Sequence, residues 1–90
     1  MLHVTETAAQ MIQRLAAEAQ LPDGAGLRIA DADNHPGLQM SLATEPGPDD
    51  AVLRERAAVI FLDPPATARL AGQTLDARSD ARGSAFFLEP

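Results

Sequence analysis

The hydrophobic positions of the chain fall into short blocks whose spacing changes from one block to the next. Ala8, Ile12, Leu15, Ala16 and Ala19 recur at helical spacing, while Gln10, Gln13, Arg14, Ala17 and Glu18 fill the other face. Thr5 is an acceptable N-cap and Glu6 suits the positive end of the dipole, so the pattern predicts a helix over 6–19, ended by the turn Leu21-Pro22-Asp23-Gly24. Alanine on the inward face would let this helix approach a sheet closely. From residue 26 the period drops to two. Leu27 and Ile29 alternate with Arg28 and Ala30, and Leu38, Met40 and Leu42 alternate with Gln39 and Ser41, which reads as two strands with one buried face each. The first half buries odd positions and the second even ones. An unbroken strand cannot do that, so Asp33-Asn34-His35-Pro36-Gly37 must hold a turn or bulge, with His35 at its tip.

Glu45-Pro46-Gly47-Pro48-Asp49-Asp50 is a loop by its punctuators, too short for a linker between domains. Ala51 to Arg54 form a short strand. Ala58-Val59-Ile60-Phe61-Leu62 is a nearly continuous apolar run of strand length, the candidate for a central strand covered on both faces with Phe61 at the centre of the core. Asp63-Pro64-Pro65 reads as a helix start, an Asp cap followed by proline at the first helical position, with Ala66 to Leu70 as the helix body. Residues 74–78 and 84–88 read as strands joined by a hairpin over 79–83. The sum is an α+β fold, mainly β: one domain over 1–90, with an N-terminal helix packed on small mixed sheets.

Composition narrows the picture. The hydrophobic fraction of 46% includes 18 alanines, and Leu, Ile, Val and Phe together make only 20 of 90 residues. A core that small favours self-association, so a homodimer is expected. The net charge of −6, with seven scattered arginines and no lysine, makes nucleic acid and anionic membrane poor partners. Residues 1–20 are broken by Glu6, Gln10, Gln13, Arg14 and Glu18, which interrupts any signal-peptide core and points to a cytoplasmic protein. There is no cysteine, hence no disulfide, no thiolate ligand and no cysteine nucleophile.

Candidate chemistry is confined to one place. Asp31, Asp33 and His35 have the i, i+2, i+4 spacing that puts two carboxylates and an imidazole on one strand face, a half-site for a divalent metal ion such as iron or zinc. The inferred turn works against that geometry, and Asp and Asn also form turns, so a solvated hairpin tip stands as the competing reading. Ser41, Ser79 and Ser84 lack a nucleophile-elbow context, and Gly24-Ala25-Gly26 leads into a strand rather than a helix, which argues against both catalysis and a phosphate cradle. Asp49, Asp50 and Glu55 read as solvated charges, and His3, near the chain's beginning, is given no role.

The order of elements resembles the HesB-like, or A-type iron–sulfur cluster assembly, family nearly from end to end. The most specific segment is Val59-Ile60-Phe61-Leu62-Asp63-Pro64 with Leu70, Gly72, Leu75 and Asp76; Val4-Thr5-Glu6-Thr7-Ala8-Ala9 is similar to the family's helix start, and Pro36-Gly37-Leu38-Gln39 to its small-residue turn. The resemblance implies three cluster-binding cysteines. His35 occupies the place of the first, and the other two belong to a Cys-Gly-Cys tail after the last strand, which the sequence does not reach before Pro90. What is expected is therefore a family member without the cysteine ligands: not an enzyme, without a cofactor, acting through contacts with protein partners in iron–sulfur biogenesis. The alternative is a carboxylate/histidine protein that binds a divalent metal ion through the 31–35 turn.

Overall fold

Among the described residues, seven strands and two helices follow one another as β1 (His3–Val4), α1 (Glu6–Glu18), β2 (Gly26–Asp31), β3 (Leu38–Ala43), β4 (Ala51–Glu55), β5 (Ala58–Leu62), α2 (Pro64–Leu70), β6 (Thr74–Asp80) and β7 (Gly83–Glu89). These come from a computed structural model that describes residues 1–32 and 37–90. A three-stranded sheet has the order β1-β6-β7 and a four-stranded sheet the order β3-β2-β5-β4. Both are mixed: β1 and β6 pair parallel, as do β2 and β5, while every other pair is antiparallel. The expected α+β, mainly β architecture with its N-terminal helix is what forms. One buried cluster runs through both sheets and both helices, from Val4, Ala8 and Ile12 through Ile29, Ile60 and Ala66 to Leu70 and Leu75. Among the described residues no helix is long and apolar enough to cross a membrane.

The change of parity around residue 33 follows from register. In the β2–β3 pair Leu27 lies opposite Leu42 and Ile29 opposite Met40, so odd positions of one strand share a face with even positions of the other. Gly26 sits where a Cβ would collide with the Val59 carbonyl of β5, so only glycine lets these two parallel strands begin side by side. Thr5 caps α1 by accepting from the Ala8 N–H, and Asp63 caps α2 by accepting from the Ala66 N–H. At the other end of α1, the Gln20 N–H donates to Ala17 O and the Leu21 N–H to Ala16 O. This is a Schellman motif closed by Gln20 in the left-handed region at φ 57°.

The structure corrects several expectations. The chain's first residues form β1: Leu2 and Val4 are buried on either side of exposed His3, whose N–H donates to Gln73 O. The inward face of α1 uses Ala9 and Met11, which are buried, whereas Ala19 is exposed. β4 continues to Glu55 and turns through Arg56 and Ala57, both at positive φ, into β5. The final hairpin is tighter than 79–83, with pairing that extends to Asp80 and Gly83.

Phe61 is buried, at 2% exposure, but lies outside the main cluster. Side chains alternate along a strand, so when Ala58, Ile60 and Leu62 face the inner core, Phe61 faces away from it, beside Arg28 of β2 and Val52 of β4. What covers this outer face is dictated by connectivity. β3 and β4 are the two edges of the sheet and run in the same direction, so the link 44–50 must cross about 14 Å of sheet and return about 10 Å along it. It does so diagonally over the outer face, where Asp50 meets Arg28.

Candidate functional site

Of the three residues singled out by sequence, Asp31 is described, and it sits where the end of β2 meets the start of α2. The Asp31 N–H donates to Asp63 Oδ2 at 2.9 Å, while Asp63 Oδ1 caps α2, so one carboxylate ties strand to helix. The Asp31 carboxylate accepts from Arg69 Nη1 at 3.2 Å in an exposed pair. One residue further on, the Ala32 N–H donates to Gly37 O. Asp33 and His35 lie outside the described residues. Among the described residues no three His, Cys, Asp or Glu side chains gather as a metal site.

Beside Asp31 is a polar recess of about 270 Å³ lined by Arg28, Ala30, Asp31, Gln39, Ser41 and Asp63. Among the described residues its one cation is already engaged. Arg28 Nε donates to Asp50 Oδ2 at 2.7 Å and Arg28 Nη2 to Asp50 Oδ1 at 3.1 Å, a two-point pair with the Asp50 side chain only 2% exposed and that of Arg28 34%. The guanidinium hydrogen bond holds the Asp50 carboxyl below the usual carboxylate range, with the Gly47 N–H in support and burial in opposition. The same pairing raises the Arg28 pKa. Asp76 is also held low, by the Thr5 hydroxyl at 2.7 Å and the Ala77 N–H, and this joins the cap of α1 to β6.

The reading of Asp50 as a solvated loop charge is thus corrected: it is the buried half of an ion pair. A signal for it was present. Arg28 occupies the outward slot of a strand, and its parallel neighbour β5 is apolar on both faces, so an arginine on a covered face needed a counter-charge. Arg56 ties its turn to two other elements: its Nε donates to Val4 O while its own carbonyl accepts from Gln13 Nε2, which fixes the turn against β1 and α1.

Chemically, the neighbourhood offers oxygen donors and a satisfied guanidinium. These are hard ligands suited to water, a hydroxyl or a hard cation, whereas a cluster of iron and sulfide calls for soft thiolates. The residues present do not fit such a cluster.

No family model and no curated protein matches the chain, but solved structures do. A crystal structure of IscA with the 2Fe–2S cluster superposes over 100% of this chain and 86% of its own, with a TM-score of 0.78 and 26% identity. Escherichia coli SufA, involved in biosynthesis of iron–sulfur clusters, matches over 98% of this chain and 83% of its own, with a TM-score of 0.80 and 24% identity. A protein from Aquifex aeolicus matches over 99% and 90%, with a TM-score of 0.74 and 19% identity. The chain is accordingly a cysteine-less protein with the HesB-like fold of the A-type iron–sulfur cluster assembly proteins.

Proposed function

We propose that this chain is a non-catalytic protein of iron–sulfur cluster biogenesis that holds no cluster itself and acts through contacts with other proteins. The donor set carries the reading: a fold that matches a cluster-bearing structure over all of this chain and 86% of that one is built here from 90 residues without one thiolate. Imidazole can replace some thiolates on iron, as in Rieske centres, but cysteine still holds the second iron there. His35 stands where the family resemblance implies a cysteine, and two copies of it with Asp31 and Asp33 would suit a mononuclear divalent ion better than a cluster. Self-association as a homodimer supplies one of the protein contacts, because 20 large aliphatic and phenylalanine residues make a small core and both sheets have open edges.

Anaerobic reconstitution with iron and sulfide tests the proposal: after desalting the protein should be colourless. A brown species with sulfide-to-iron charge-transfer absorption that is lost in His35→Ala would overturn it. The second reading, a divalent iron or zinc site at Asp31, Asp33 and His35, has in its favour the 44% exposure of the Asp31 side chain at the strand end. Metal analysis of protein purified without a histidine tag separates the two, since stoichiometric metal would favour the site and its absence the contact protein.

A further inference from the structure

We infer that residues 44–50 form a latched strap, which swings off the sheet as a unit when the Arg28–Asp50 pair parts and uncovers Phe61 while the inner core stays folded. Four observations converge on this. The segment crosses the outer face from one edge strand to the other, as the parallel directions of β3 and β4 require. Among the described residues, its hydrogen bonds to the sheet are the two from Arg28 to Asp50. Pro46 and Pro48 have no N–H to add to a ladder, and Thr44, Glu45, Pro46, Pro48 and Asp49 are exposed, so apart from its cover over the ring of Phe61 the strap has little apolar hold on the sheet. Within the strap, the Gly47 N–H donates to Asp50 Oδ2 and the Asp50 N–H to Gly47 O, which makes 47–50 a compact turn that moves as one piece.

Beneath the strap, Phe61 belongs to no part of the inner cluster. Lifting the strap therefore breaks one ion pair and bares one aromatic face, and leaves the pairing of β2 with β5 and the burial of Ile29, Ile60 and Leu70 untouched. The opened face presents an aromatic ring beside a freed guanidinium, both on central strands of the sheet.

The absence of native cysteine makes the test direct. Phe61→Cys reports the outer face and Ala58→Cys the inner one, each by the rate of thiol labelling in sub-denaturing urea. The expected result is labelling at position 61 about tenfold or more faster than at 58 and nearly independent of urea, with Asp50→Asn adding about another tenfold at 61 alone. Equal rates with the same urea dependence at both positions, unchanged by Asp50→Asn, would overturn the strap. Because Phe61→Cys removes packing, a second measurement leaves residue 61 intact: a protease that cleaves before aspartate should cut the Pro48–Asp49 bond while circular dichroism is still native, and sooner in Asp50→Asn. Cleavage there no earlier than at Asp31, Asp63 or Asp76 would equally refute it.

Discussion

Replacing Asp50 by asparagine keeps the shape of the side chain and, through its remaining oxygen, an acceptor for the Gly47 N–H, but removes the charge that Arg28 meets. It also turns the second acceptor, which takes the Arg28 Nη2 hydrogen bond, into an NH2 donor. An exposed ion pair contributes up to about 1 kcal/mol, whereas breaking a fully buried one costs about 3–5 kcal/mol. Here one partner is 2% exposed and the other 34%, so the guanidinium left behind can turn partly to water, and an intermediate cost of about 2 kcal/mol is expected. For a domain of this size that lowers Tm by roughly 8–16 °C. The chain has no Trp or Tyr, so the assay is far-ultraviolet circular dichroism during heating. The pH dependence is the sharper criterion. Asp50 is held low in the folded state, so its contribution is fully present above the unfolded carboxyl value, about 3.9, and is lost as pH falls through the still lower folded value. The gap between wild type and Asp50→Asn should be constant from pH 8 to 5 and close below about pH 4. Asp76 is lowered as well, but it titrates in both proteins and cancels from the difference. A gap of under 2 °C at neutral pH, or one that widens in acid, would refute the assignment of Asp50 as a buried partner.

Phe61→Ala should cost about 3–5 kcal/mol, read as a fall in the urea midpoint, while Val52→Ala beside it, at 45% exposure, should cost less than about 1 kcal/mol; a mutant of Phe61 melting within a few degrees of wild type would contradict its burial. Gln20→Gly and Ala57→Gly should each stabilise by about 0.5–1 kcal/mol, because both residues hold positive φ that glycine adopts without strain, and a loss of stability in either would show that side-chain contacts outweigh the backbone term. Thr5→Val removes both the cap of α1 and the hydroxyl bound to Asp76, so thermal melts should show a cost of about 1–2 kcal/mol. Light scattering at high micromolar concentration should report a mass above that of one chain; a strict monomer would count against the homodimer.

Much of this fold was legible because its elements are signalled locally. Thr5, Asp63 and the proline pair mark helix starts, and alternation marks β2 and β3. What could not be read were placements that depend on distant pairing. β1 is two residues long and exists only because Thr74 and Leu75 lie beside it, so no periodicity can announce it. Phe61 was legible as buried but not as outward-facing, since an apolar run on both faces of a strand hides which face belongs to which cluster. The Asp50 pair was missed because loop charges are usually solvated, and only the crossing of β3 to β4 brings this one onto the sheet. For the candidate site, Asp31 was found at a strand end, but its partners Asp63 and Arg69 come from the cap and the body of a helix more than thirty positions away.

The pairing of β1 with β6 also sets an order of events during synthesis. α1 is made well before β6, a strand it packs against that begins at Thr74, and the Thr5 hydroxyl that caps α1 is bound to Asp76. Sheet β1-β6-β7 cannot close until Glu89, opposite Thr74, has left the ribosome. Throughout translation the apolar stripe of Ala8, Met11 and Ile12 therefore lacks its β6 cover, although β2 and β5 become available earlier. In a nascent chain of this design the earlier of the two described helices waits for β6 to complete its cover, and that interval is when a chaperone or a second nascent chain would find it.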